Sequence, residues 1–140
     1  MNGPVLDASA LLAFLHDEPG ADLVGEALVA GASISAVNWA EVLSKLADRG
    51  QEPETVAQDL EDQGILGPAL IVHEVDEILA RRIAELRPQT RALGLSLGDR
   101  ACLALAGRLG LGVLTADRDW MDLDLGLDIR LIRHQRSTPP

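Results

Sequence analysis

V-L-D-A-S-A-L-L-A-F-L, from Val5 to Leu15, changes its pattern at Asp7. Val5-Leu6 reads as a short strand that ends at the acid. Ala8 to Leu15 then reads as a helix, stopped by the turn at Asp17-Glu18-Pro19-Gly20. From here the chain alternates short apolar runs with helical patterns. Ala21 to Ala30 reads as a second helix, with Leu23, Ala27 and Ala30 on one side. Ser33-Ile34-Ser35 is a strand, and the helix after it runs to Arg49, closed by Gly50 at the C′ position. Glu54 to Gln63 is helical, with Pro53 near its start. Leu70-Ile71-Val72 is a β-branched strand. Asp76 to Leu86 is a helix ended by Pro88, and Ser96 to Leu109 a helix capped by Gly110. Val113-Leu114-Thr115 is a strand, a short helical turn follows near Arg118, and Ile129 to Ile132 is the last strand. His134 to Pro140 reads as a disordered tail, leaving 1–133 as the domain. Five short strands separated mainly by helices imply a single α/β domain: a five-stranded parallel sheet with helices on both faces. In such sheets ligands bind beyond the carboxyl ends of the strands.

The 140 residues suit one domain that folds without a disulfide or structural metal. An apolar fraction of 47% and a charged fraction of 24% exclude a disordered chain. Cys102 is the only cysteine, which excludes a disulfide scaffold. The longest early apolar run, Ala8 to Leu15, is eight residues, against about 18 for a membrane span. It has no basic segment before it, so no secretion signal is expected and the cytoplasm is the expected location. Twelve basic and 22 acidic residues give a net charge of −10. A passive nucleic-acid binder of this size is usually basic. A chain this acidic needs bound divalent cations or a small Arg cluster to meet a phosphate backbone. Lys45 is the only lysine, so the basic residues are almost all arginines, the better bidentate phosphate partners. From Gly50 to Ala80 there are eight acids and no Lys or Arg; Arg81, Arg82, Arg87 and Arg91 follow.

Four acids share one expected location. Asp7 follows the first strand, Glu41 lies early in the helix that ends at Arg49, Asp99 opens the long helix, and Asp117 follows the strand ending at Thr115. Alone, each has a structural reading. Asp7 and Asp117 suit helix or turn caps. Ser96 with Asp99 makes a capping-box pattern. Glu41 points away from a stripe of Trp39, Val42, Leu43 and Leu46, as a solvated acid would. Together, all four fall at strand C-termini or in the next helix's early turns, along one edge of a parallel sheet. Carboxylates converging there raise one another's pKa values. Mg²⁺ or Mn²⁺, which prefer oxygen ligands, relieve that repulsion.

The four stretches that carry these acids resemble the motifs of one family. Val5 to Leu15 with its D-E-P-G turn, N-W-A-E-V-L-S-K-L at Asn38 to Leu46, L-S-L-G-D-R-A-C-L-A-L-A at Leu95 to Ala106 and L-T-A-D-R-D-W at Leu114 to Trp120 are similar to the motifs of PIN-domain nucleases. Length and the Asp…Glu…Asp…Asp order resemble the VapC-type toxins of toxin–antitoxin pairs. The resemblance implies Mg²⁺- or Mn²⁺-dependent cleavage of RNA phosphodiesters at an acidic site of Asp7, Glu41, Asp99 and Asp117. Asp7 and Asp99 would be the firmest metal ligands, with Glu41 and Asp117 completing the shell or acting through waters. Ser9 and Thr115 match positions that orient the acids. The resemblance also implies a homodimer and a cognate VapB-type antitoxin that blocks the site. Trp39 stands where an aliphatic residue is more common, and Asp119 adds a fifth acid.

The remaining residues suggest no rival chemistry. His16, His73 and His134 follow no zinc spacing. Cys102 falls in an Ala/Leu-rich helix, as a core residue does. Gly98 and Gly107 suit close helix packing. Three aromatics, Phe14, Trp39 and Trp120, leave little base-stacking surface. RNA recognition would then rest on Arg81, Arg82, Arg91, Arg100 and the Arg130/Arg133/Arg136 cluster. The alternative reading is a non-catalytic RNA- or protein-binding module on the same frame. A phosphoacceptor domain ranks last, because the sole lysine lies early and on a helix.

Overall fold

The computed structural model describes residues 3–133; the tail expected from His134 lies outside them. Strand β1 (Val5–Leu6) leads into α1 (Ala8–Leu15) and α2 (Ala21–Ala30). Then come β2 (Ala32–Ser35), α3 (Ala36–Asp48), α4 (Pro53–Asp62) and β3 (Leu70–His73). Helices α5 (Glu77–Glu85), α6 (Arg87–Thr90) and α7 (Leu97–Leu109) precede β4 (Val113–Thr115). A 3₁₀ turn (Arg118–Asp122) leads to β5 (Ile129–Leu131). The five strands form one sheet in the order β3-β2-β1-β4-β5, every pairing parallel. This is the α/β architecture expected. No described helix is long and apolar enough to cross a membrane.

Adjacent strand residues point to opposite faces, and both faces are covered. Leu6 and Leu114 join the core under α1, α2 and α3. Their neighbours Val5 and Val113 join the core under α5 and α7. Burial on both sides explains why the central strands β1 and β4 carry adjacent apolar residues, Val5-Leu6 and Val113-Leu114, rather than an alternating pattern.

The helix ends follow local chemistry. Asp7 caps α1 by accepting from the Ala10 N–H. Ser96 and Asp99 form a reciprocal capping box at the start of α7: Ser96 Oγ accepts from the Asp99 N–H, and Asp99 Oδ2 accepts from the Ser96 N–H. Gly110 closes α7 at φ +67°, a left-handed conformation that glycine adopts without strain.

One helix expectation needs correction. In α2 the buried residues are Val24, Ala27 and Leu28, and Ala30 is exposed. The inner face is centred on Val24 and Leu28, with Leu23 half-buried beside it. The helix expected to end before Pro88 does so, and a further short helix begins there. α5 stops at Glu85, and Pro88 sits in the first turn of α6, where its missing N–H has no helical partner to lose.

Candidate active site

The strand order reverses at β1: β2 and β3 continue to one side, β4 and β5 to the other. In an open α/β sheet this switch point leaves a crevice at the strands' carboxyl ends. Asp7 stands directly after β1 in that crevice and is only 5% exposed. Three hydrogen-bond donors surround its carboxylate. Ser9 Oγ donates to Oδ1 at 2.7 Å and the Ala10 N–H at 2.8 Å. Thr115 Oγ1, at the end of β4, donates to Oδ2 at 2.6 Å. Ser9 Oγ in turn accepts from the Ala116 N–H at 2.9 Å, which ties α1 to the loop after β4.

Those bonds favour the ionised form of Asp7, yet burial outweighs them. Desolvation pushes its pKa up to about 6, and the nearby Asp99 charge pushes the same way. Thr115 is therefore a holding residue whose loss leaves a buried carboxylate oxygen without its donor. Thr115→Val is expected to destabilise the fold by about 1–3 kcal/mol at neutral pH. Urea unfolding checks this, and an unchanged midpoint would contradict it.

Glu41 does not point into solvent. It is half-buried, and its carboxylate lies over the backbone of Gly98 in α7. A Cβ on Gly98 would lie 2.6 Å from Glu41 Cδ and 2.7 Å from Oε2, and closer still to Oε1. Asn38 fixes this pose. Its Nδ2 donates to Glu41 Oε1 at 2.8 Å and to the Gly98 carbonyl at 2.9 Å. Asn38 itself is fully buried, and Ser35 Oγ donates to its Oδ1 at 2.6 Å. Sequence reasoning passed over Asn38; the one available signal was a polar residue three positions before Glu41. It read Gly98 and Gly107 alike as packing glycines. Gly98 makes room for a carboxylate, whereas a Cβ on the exposed Gly107 would meet nothing within 4 Å.

Asp99 is half-buried in the first turn of α7, one residue from Gly98, with Oδ1 left out of the capping box. The buried Cys102 thiol one turn further on reports all three acids. Burial pushes its pKa well up, and the charges of Asp7, Asp99 and Glu41 push it further. It is a neutral core thiol. Asp117 stands apart from these three. It is exposed, and its Oδ1 accepts from the Asp119 N–H as the cap of the 3₁₀ turn. Thr115 Oγ1, accepting from the Asp117 N–H at 3.0 Å, links it to Asp7. Asp119 is exposed. Among the described residues no three His, Cys, Asp or Glu side chains close into a ready-made cage.

Several expected RNA contacts are otherwise engaged. Arg81 and Arg82 pair with Glu77 and Glu85 on their own helix, and Arg100 Nη1 donates to the Ile83 carbonyl. Arg136 lies outside the described residues. Trp39 is half-buried against the core of α1, α2 and α3.

Fold and site together define a doubly wound α/β domain with an acidic crevice at its switch point. The PIN domain family model matches residues 5–125. The chain belongs to the PIN domain family. No match is found among proteins of curated function. Among solved structures, the chain is similar to a DNA-bound VapBC from Salmonella typhimurium, with 19% identity, a TM-score of 0.70 and coverage of 95% of this chain and 100% of that one. It is also similar to a toxin–antitoxin complex from Klebsiella pneumoniae (22% identity, TM-score 0.64, 86% and 92% covered). A third is VapBC-5 from Mycobacterium tuberculosis (24% identity, TM-score 0.56, 95% and 99% covered).

Proposed function

We propose that this chain is a VapC-type toxin, a divalent-metal-dependent endoribonuclease that acts as a homodimer and is inhibited by a cognate VapB-type antitoxin. The observation that carries the reading is Asp7: a carboxylate buried at the switch point, held by two hydroxyls, and resisting ionisation up to about pH 6. A fold retains such a group at a cost unless a cation completes it. Solved structures similar to this chain, several of them toxin–antitoxin complexes, support the partner.

The donor set fits Mg²⁺ or Mn²⁺. These ions take one or two carboxylates and keep several waters, so a closed cage of three acids is not required. Asp7 and Asp99 would hold the ion, with Glu41 completing the shell or acting through waters and Asp117 at its rim. Once bound, such a cation polarises a phosphoryl oxygen and lowers the pKa of water. The chain's own residues do the positioning. Ser9 and Thr115 orient Asp7, and Asn38 holds the Glu41 carboxylate over Gly98. Three carboxylates beside a phosphodiester would repel it, which is why the acids need the ion before they can approach substrate.

The test is cleavage of total RNA by purified protein with Mn²⁺, with Mg²⁺ and with EDTA, beside Asp99→Asn matched in circular dichroism. Cleavage is expected with either metal and in neither control. Wild-type cleavage persisting in excess chelator would sink the metal; RNA bound but never cut would favour the non-catalytic module.

A further inference from the structure

Helices α1 and α3 both start at the acidic crevice, α1 capped by Asp7 and α3 by Ser35. On α3, Glu41 and Lys45 lie four residues apart along one face, about 6 Å apart along the axis, and Arg49, the C-cap of α3, follows four residues further on. Ser9 lies near the start of α1 and His16 is the C-cap of that helix. A cleft of about 190 Å³ is lined by Ser9 of α1 and His16 at its C-terminal cap, by Lys45 and Arg49, and by Arg133 beyond β5. It begins at Ser9, whose hydroxyl holds Asp7. Arg49 is held in place: its Nη1 lies 3.3 Å and 3.2 Å from the His16 ring nitrogens. Arg133 donates to the Pro19 carbonyl at 3.1 Å and lies 3.5 Å from Glu18 Oε1. Among the described residues, Glu18 is the only acid lining the cleft. Three cations and one acid therefore gather beside the site of a chain whose net charge is −10.

We infer that this cleft between α1 and α3 is a phosphate-binding track. It holds the backbone of single-stranded RNA on one side of the scissile bond, with Lys45 and Arg49 on successive phosphates. The inference rests on the ribonuclease reading and adds a substrate path to it. A flexible lysine and a guanidinium steadied by an imidazole are suitable phosphate partners. The track also explains how a strongly acidic chain would draw RNA towards acids: the local field, not the net charge, meets the polymer.

The test measures binding of a short fluorescein-labelled single-stranded RNA of mixed sequence, by anisotropy in EDTA across a salt series. Wild type is compared with Lys45→Gln/Arg49→Gln and with Arg87→Gln/Arg108→Gln, which removes the same charge from exposed positions elsewhere. The first pair is expected to weaken binding about tenfold and make the salt slope shallower by about 1.4, the value for two phosphate contacts on a single strand. The control pair should change neither. Equal weakening by both pairs would overturn the track in favour of a diffuse field. RNA binding unaffected by Lys45→Gln/Arg49→Gln, with loss of binding to an acidic peptide instead, would overturn it in favour of a protein partner. RNA that binds through Lys45 and Arg49 but is never cut with Mn²⁺ would leave the track standing and remove the nuclease reading.

Discussion

Asp7→Asn is expected to make the metal-free protein more stable at neutral pH while abolishing cleavage. The carboxyl has a pKa of about 6 in the fold and about 3.9 in an unfolded chain. Above about pH 6 it is ionised in both states, and the native state carries the full penalty of a buried charge. Below about pH 4 it is protonated in both states and the penalty vanishes. Between these limits the native state binds the extra proton, so this group makes the fold less stable as pH rises from 4 to 6. The pKa difference corresponds to about 2–3 kcal/mol. Asparagine has nearly the same shape and no charge, so the variant should be about 2 kcal/mol more stable than wild type at pH 7.5 in EDTA. The gap should close at pH 4. Added Mn²⁺ should raise the wild-type melting temperature and leave the variant unmoved, because binding to the native state alone stabilises it. Cleavage should fall at least about a hundredfold. Urea unfolding at the two pH values decides the matter: a variant less stable than wild type at pH 7.5 without metal would show that the hydroxyls, not burial, dominate at Asp7.

Gly98→Ala is expected to silence the site without unfolding it. The new methyl group would occupy the place of the Glu41 carboxylate. That carboxylate is the far end of a flexible side chain, so it moves and the helix does not. Alanine also favours a helix over glycine by about 1 kcal/mol, which offsets the lost contact with Asn38. Stability should therefore stay within about 1 kcal/mol of wild type, while cleavage falls about tenfold to a hundredfold, as in Glu41→Ala. The Asn38 side-chain amide signals should shift in a heteronuclear NMR spectrum. Full activity with unshifted amides would show that Glu41 does not act from the pose over Gly98.

The acids differ in how far the sequence revealed their surroundings. Asp7, Ser96 with Asp99, and Asp117 were legible as caps because a cap joins residues two or three positions apart. Glu41 was misread as solvated. Its apolar stripe was judged from α3 alone, whereas Gly98 on α7 provides the surface it lies on. The basic cleft was missed for the same reason. Lys45 on α3 and Arg49 at its cap are unremarkable alone and become a site only beside His16 at the end of α1. Of the arginines the sequence singled out, Arg133 does line the cleft, whereas Arg81 and Arg82 pair with Glu77 and Glu85 along α5.

By itself the sequence determined what is local: the alternation of strands and helices, the caps that end them, the core position of Cys102, and the four motifs of a PIN domain. Period and capping act within a turn or two, so each stretch carries its own instruction. Only the tertiary structure decided which acids meet and what they face. The Thr115–Asp7 bond spans 108 residues and the Asn38–Gly98 bond 60. Such contacts exist only once the sheet reverses its order at β1 and both faces are packed. The burial that lifts the Asp7 pKa arises from that packing, because desolvation depends on everything that surrounds a charge and not on its neighbours in the chain.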